Sequence, residues 1–233
     1  MPELPEVLHA PSPSFGGRRR DVLPDLIVLH YTAMQTAEAA LERLCDADVE
    51  VSAHYLIAED GRLWRMVDEK MRAWHAGAGQ WRGIDDVNSR SIGIELANTG
   101  DHPFPEPQMT VLEALIGSIM RRWEIPPQNV IAHSDMAPAR KCDPGRRFDW
   151  RRLALQNLSV WPGETQPSGG LKDLDEALKA IGYPMGQDGS EPCLRAFRER
   201  FRPWARGPAD QVDAALAHDL ATRFGVDPVM PSA

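Results

Sequence analysis

Leu26-Ile27-Val28-Leu29-His30-Tyr31 is a short apolar run rich in strand formers, and it reads as a β-strand ending near a histidine. Working outward, Ala37 to Cys45 has helical spacing in Leu41, Leu44 and Cys45. Two further strands are expected at His54–Ala58 and Leu63–Val67. They join across Glu59-Asp60-Gly61-Arg62, where Asp-Gly is a strong hairpin signal. Ser91–Leu96 (SIGIEL) reads as another strand and Val130-Ile131-Ala132 as a last one. Between them Thr110 and Glu113 form a T-x-x-E capping box. Behind it Leu112, Leu115, Ile116, Ile119, Met120 and Trp123 make a helical stripe that Pro126 and Pro127 terminate. The alternation implies an α/β fold, a mixed central β-sheet flanked by helices, over residues 24–163.

The ends of the chain differ in character. Residues 1–23 carry Pro2, Pro5, Pro11, Pro13 and Gly16-Gly17 and read as an extended N-terminal arm, with Arg18–Arg20 a solvated basic segment. From Pro162 to Gly170 the composition turns to Pro, Gly, Ser and Thr, and a linker is expected at 164–170. Over 171–233 three amphipathic segments follow, with apolar positions at Leu171, Leu174, Leu178 and Ile181, then Leu194, Phe197 and Phe201, then Val212, Leu216, Leu220 and Phe224. They suit a small three-helix domain, whose Phe and Leu stripes are read as core.

With 233 residues, the chain has room for one catalytic-size domain and a small appendage. Its 26 basic and 34 acidic side chains give a net charge of −8, which argues against nucleic acid as a partner. No apolar run approaches the ~20 residues that span a bilayer. Three cysteines, Cys45, Cys142 and Cys193, are too few for a disulfide scaffold. The first residues lack a basic stretch followed by an apolar one, so a cytoplasmic setting without membrane anchor is expected. A periplasmic or outer-membrane setting is the alternative if the chain is a processed or trimmed form.

Three candidate metal ligands stand out. His30 closes LIVLH, His133 closes VIAH, and Asp143 lies ten residues on in RKCDPG. Two imidazoles and a carboxylate suit zinc, and three protein ligands leave a fourth position for a reactive water. Either histidine alone reads equally as a hydrogen-bonded core or surface residue, and no compact HExxH is present.

HYTA (His30–Ala33), SAHYLI (Ser52–Ile57), AWHAG (Ala73–Gly77), SIGIEL, IAHSDMAP (Ile131–Pro138) and RKCDPG (Arg140–Gly145) occur in this order. The set closely resembles the zinc-dependent type 2 N-acetylmuramoyl-L-alanine amidases, relatives of peptidoglycan recognition proteins, over about residues 24–163. The tail, with Leu178-Lys179-Ala180-Ile181-Gly182-Tyr183, resembles a three-helix peptidoglycan-binding module. The combination is most similar to the subgroup acting on 1,6-anhydromuropeptides and cell-wall fragments.

The resemblance implies that His30, His133 and Asp143 hold Zn2+, that Glu95 activates water, and that Lys141 stabilises the tetrahedral oxyanion. Some phage relatives use a cysteine as third ligand; here the Lys-x-Asp-Pro pattern favours Asp143 over its neighbour Cys142. Strand alternation turns Ile94 and Leu96 away from the face that carries Glu95. Softer substrate-binding candidates are His54, equally a core residue, and the Trp74, His75, Ala76, Gly77 wall. Asn88, Arg90 and Asn98 suit a stem peptide, with turn chemistry or a surface ion pair as their plain alternatives. Tyr31 and Trp123 read as packing groups.

The implied activity is hydrolysis of the amide between (1,6-anhydro-)N-acetylmuramic acid and L-alanine of the stem peptide, in peptidoglycan recycling. The alternatives are an envelope amidase acting on intact peptidoglycan and a non-catalytic peptidoglycan receptor. Receptors of this superfamily typically lose a metal ligand, and here all three positions are kept. Neither the oligomeric state nor the role of the tail is legible.

Overall fold

A computed structural model of the chain describes residues 3–163, 170–186 and 189–225. Most of the linker expected at 164–170 and the last residues of the tail lie outside them. Eight strands and eight α-helices are described: β1 (Val7–His9), β2 (Phe15–Gly17), β3 (Leu26–Tyr31), α1 (Ala37–Leu44), β4 (Tyr55–Ile57), β5 (Leu63–Arg65), β6 (Met71–Ala73), α2 (Val87–Arg90), β7 (Ser91–Leu96), α3 (Glu106–Trp123), β8 (Val130–Ala132), α4 (His133–Met136), α5 (Trp150–Leu155), α6 (Leu174–Ile181), α7 (Glu191–Phe201) and α8 (Gln211–Phe224).

Six strands form one mixed sheet in the order β1-β5-β4-β7-β3-β8. Only β4 and β5 run antiparallel, as the Asp-Gly turn requires, and the other neighbours are parallel. The interior strand β3, between β7 and β8, is buried on both faces, which explains its near-continuous apolar sequence. Ile27 and Leu29 pack with Ile92 and Ile94 against Leu112, Leu115, Ile116 and Ile119 of α3. Leu26, Val28 and Ile131 face the other way, into a cluster with Leu178 and Ile181 of α6, Phe197 and Phe201 of α7, and Leu220 of α8. The three C-terminal helices therefore share a continuous core with the sheet. A third cluster packs Ala40 and Leu44 of α1 on Leu56 and Trp64.

Two local expectations change. Residues 3–18 are largely extended but not loose: β1 adds to the sheet edge beside β5, β2 pairs with β6, and a 3-10 turn follows at Arg19–Asp21. Arg18 is buried, not solvated, because one guanidinium serves several inward-facing carbonyls, at 2.7 Å from Glu69 O, 2.8 Å from Ser89 O and 3.1 Å from Ser91 O. Helix α3 starts at Glu106, four residues before Thr110. Pro105 and Pro107 flank that start; the first turn has unbonded N–H groups anyway, so a proline there costs no hydrogen bond. Glu113 is consequently a buried mid-helix residue that pairs with Arg152, not half of a capping box.

Candidate metal centre and active site

The parallel register decides which side chains meet. His30 lies opposite Glu95, and Val28 opposite Ile131, so His133, two residues beyond Ile131, continues on the face that carries His30 and Glu95. All three occupy the carboxyl end of parallel strands, where open α/β sheets form their binding crevices. Asp143 reaches them from the loop after α4, whose backbone is tied back by Ser134 N–H donating to Asp143 O at 3.0 Å.

There three donor atoms converge. His30 Nδ1 is 2.9 Å from His133 Nδ1, and each nitrogen is 3.0 Å from Asp143 Oδ2. All three residues are buried, and their donor atoms are close enough to share one ion. The donor set fits a metal. His133 Nε2 lies 3.0 Å from the carbonyl of Ala76, which can only accept, so Nε2 carries a proton and Nδ1 is the nitrogen turned inward. Burial, reinforced by His133, lowers the His30 imidazole to about 4, so it is neutral at pH 7. Two lone pairs and a carboxylate face one another, and a cation such as zinc satisfies them.

The triad opens on a cleft of about 370 Å³ whose lining includes Tyr31, Trp74, His75, Glu95, Lys141 and Cys142. Glu95 Oε2 is buried without a hydrogen-bond partner among the described residues. Desolvation first, and the neighbouring Asp143 charge second, push the Glu95 carboxyl up to about 8, against the pull of Lys141. A carboxyl poised there exchanges protons near neutral pH.

The other residues singled out divide clearly. Trp74 and His75 line the cleft, and Gly77 holds φ +60° where a Cβ would sit 3.1 Å from Arg140. Ala76 is buried with its carbonyl on His133. His54 is buried behind the cleft, accepting from Gly93 N–H at 2.9 Å with Nε2 3.1 Å from Met71 O. Asn88 lies beneath the 75–76 backbone. Arg90 spends its guanidinium on Asp25 (Nε–Oδ1 3.0 Å), and buried Asn98 organises the turn to His102, accepting from Gly100 N–H at 2.7 Å. Neither lines the cleft. Cys142 is exposed and its sulfur sits 3.3 Å from Tyr31 Oη, outside the converging set; Tyr31 packs against the core as expected and also lines the cleft. Trp123 keeps its packing role, with Nε1 donating to Glu69 at 2.6 Å.

Sequence reading missed Asp135, two residues after His133. It is fully buried, accepts from Ala132 N–H at 2.9 Å and from Tyr183 Oη–H at 2.8 Å, and pairs with Arg200 of α7 at 2.5 Å. Arg200 also donates to Val130 O at 2.9 Å and to Ser159 Oγ at 3.0 Å. Arg195, from the same helix, donates to the carbonyls of Pro138 and Lys141. Thus α7 braces both the turn that carries His133 and the loop that carries Lys141. The only available signal was an acidic residue inside IAHSDMAP, whose partner lies 65 residues away.

Residues 18–146 match the N-acetylmuramoyl-L-alanine amidase family model. The N-acetylmuramoyl-L-alanine amidase AmiD of Escherichia coli K12 is 35% identical, over 87% of this chain and 84% of its own. The 1,6-anhydro-N-acetylmuramyl-L-alanine amidase AmpD of Enterobacter cloacae is 33% identical, over 64% of this chain and 89% of its own. A solved complex of E. coli AmiD with anhydro-N-acetylmuramic acid-L-Ala-D-gamma-Glu-L-Lys superposes with a TM-score of 0.81 at 34% identity, covering 89% of this chain and 93% of that one.

Proposed function

We propose a substrate and a mechanism from one premise: the chain belongs to the N-acetylmuramoyl-L-alanine amidase family and is an amide hydrolase. The bond cleaved is the amide between the lactyl carbonyl of N-acetylmuramic acid, in its 1,6-anhydro form, and the nitrogen of L-alanine in the stem peptide. The observation that carries this reading is the convergence of His30, His133 and Asp143 at the floor of a cleft shared with Glu95 and Lys141. The likeness to a relative solved with an anhydromuramoyl peptide supports the choice of substrate.

His30, His133 and Asp143 would hold zinc, which when bound polarises a carbonyl and makes water a nucleophile near neutral pH. Glu95 accepts a proton from the attacking water and delivers it to the alanine nitrogen as the C–N bond breaks. Its poised carboxyl suits both halves of that transfer. Lys141, at the same cleft, faces the oxygen on which negative charge develops. The products are a muramic acid carboxylate and a free peptide amine. Trp74 supplies apolar wall for sugar or peptide.

The test is mass spectrometry of an anhydromuropeptide digest, with and without chelator. Expected is release of intact peptide, loss of release with chelator, and its return with zinc. Metal-loaded protein that binds muropeptide and releases no peptide would refute the reading. The E. coli relative matched over 87% of this chain has a name without the 1,6-anhydro restriction that the AmpD name carries, which leaves a second reading, an amidase acting on intact peptidoglycan. Rates on purified sacculi against soluble muropeptide separate the two. Soluble substrate goes with a cytoplasmic setting and recycling, sacculi with an envelope one, and cell fractionation tests that.

A further inference from the structure

We infer that the His75-Ala76 dipeptide, keyed by Asn88, is the outer hydrogen-bonding frame of the metal centre and fixes the tautomers of both histidine ligands. The inference rests on the reading of His30, His133 and Asp143 as metal ligands, and it makes His75 a positioning residue instead of a substrate wall. Two carbonyls, Val87 O and Ala76 O, can only accept and so set the direction of the hydrogen bonds. Ser91 Oγ lies 2.6 Å from Val87 O, so its single proton goes there. Ser91 Oγ must then accept from His75 Nε2, 3.1 Å away, which places the His75 proton on Nε2. His75 Nδ1 is left as an acceptor, 3.0 Å from His30 Nε2, so His30 donates through Nε2 and keeps its Nδ1 lone pair for the centre. Independently, Ala76 O accepts from His133 Nε2 at 3.0 Å and orients the second ligand in the same way.

One dipeptide thus meets both ligands, one through its side chain and the other through its backbone. Its placement is fixed from below. Asn88 Oδ1 accepts from the N–H of His75 at 3.0 Å and of Ala76 at 2.8 Å. Gly93 of β7 leaves room for the ring, since a Cβ there would lie 2.4 Å from His75 Cγ. Both His75 ring nitrogens are spent inside the protein, which leaves its side chain no polar atom for substrate. Partners of this kind orient ligating histidines and raise their basicity, and losing one typically weakens metal binding about 10–100-fold.

The experiment is zinc affinity by competition with a chromophoric chelator, on the full chain and on His75→Leu, His75→Gln, Ser91→Ala and Asp143→Ala. His75→Leu should bind zinc about 10–100-fold more weakly. His75→Gln should recover most of the affinity, because an amide can accept from His30 and donate to Ser91. Long-range proton–nitrogen spectra of the zinc-loaded wild type should show the proton on Nε2 of His30, His75 and His133. Ser91→Ala, which removes only a hydroxyl, should leave His75 in mixed tautomers; this arm stands if His75→Leu fails to fold. If His75→Leu keeps wild-type zinc affinity and raises only KM, His75 is a substrate wall and the inference is overturned. An unchanged His75 tautomer in Ser91→Ala overturns it as well. If Asp143→Ala retains zinc at wild-type affinity, the metal-centre reading itself is what has failed.

Discussion

Two buried polar clusters lie side by side along β8 and α4, and they are built on opposite terms. Around Asp135 opposite charges meet: Arg200, the Tyr183 hydroxyl and a backbone N–H converge on one carboxylate. Around His30 and His133 acceptors face acceptors, and nearby Glu95 has a buried oxygen with no partner among the described residues. In the first arrangement the carboxylate is satisfied within the chain and holds position, although Arg200 Nε has no hydrogen-bond partner among the described residues. The second is satisfied only by something the chain does not itself provide, and that is where chemistry is expected. The brace is what lets the open cluster persist, because α7 grips the backbone that carries His133 and Lys141.

Four substitutions would break or sharpen this contrast. Asp143→Ala removes the only anionic donor of the open cluster, and is expected to abolish both stoichiometric zinc, by elemental analysis, and amidase turnover. Glu95→Gln should leave zinc bound and lower kcat by about 10²–10⁴-fold, the usual worth of a general acid–base group; a variant with near wild-type kcat would remove Glu95 from the mechanism. Arg200→Leu acts on the closed cluster and strands a buried carboxylate. It should cost about 3–5 kcal/mol in urea unfolding, felt as lost stability more than as lost turnover in the molecules that remain folded.

The smallest effect is expected at Glu69, another closed cluster, on the far side of the sheet. Burial alone would raise its carboxyl, but hydrogen bonds from Arg122, Trp123 and Tyr55 outweigh that and hold it below the usual range. Its contribution is therefore complete above the unfolded value, about 4.3, and drains away as pH falls through the folded one. Glu69→Gln should lose about 1.5–3 kcal/mol at pH 7 and flatten this part of the acid limb of stability. Equal losses at pH 7 and pH 3 would disprove the linkage.

These clusters also show what a sequence makes legible. The strands β3, β7 and β8 announce themselves by composition, and their ends carry His30, Glu95 and His133. Asp143 was found only as part of a motif, since no periodicity ties a loop carboxylate to a strand end. Helices α2 and α4, four residues each, are too short for a helical period to register. The uses of Arg18, Asn88, Asp135 and Arg200 depend on partners 12 to 73 residues away, so their types alone gave no hint. The stripes of α6, α7 and α8 told that these helices bury one side, but not that the sheet is what they bury it against.

That shared core has a practical consequence. Severed between Gly163 and Gly170, the polypeptide would yield two fragments, each with half of a greasy seam uncovered, and neither a finished protein. Produced together, the fragments have every reason to find each other, and turnover would return only with reunion. A split enzyme of this kind would report on whatever two proteins its halves were fused to.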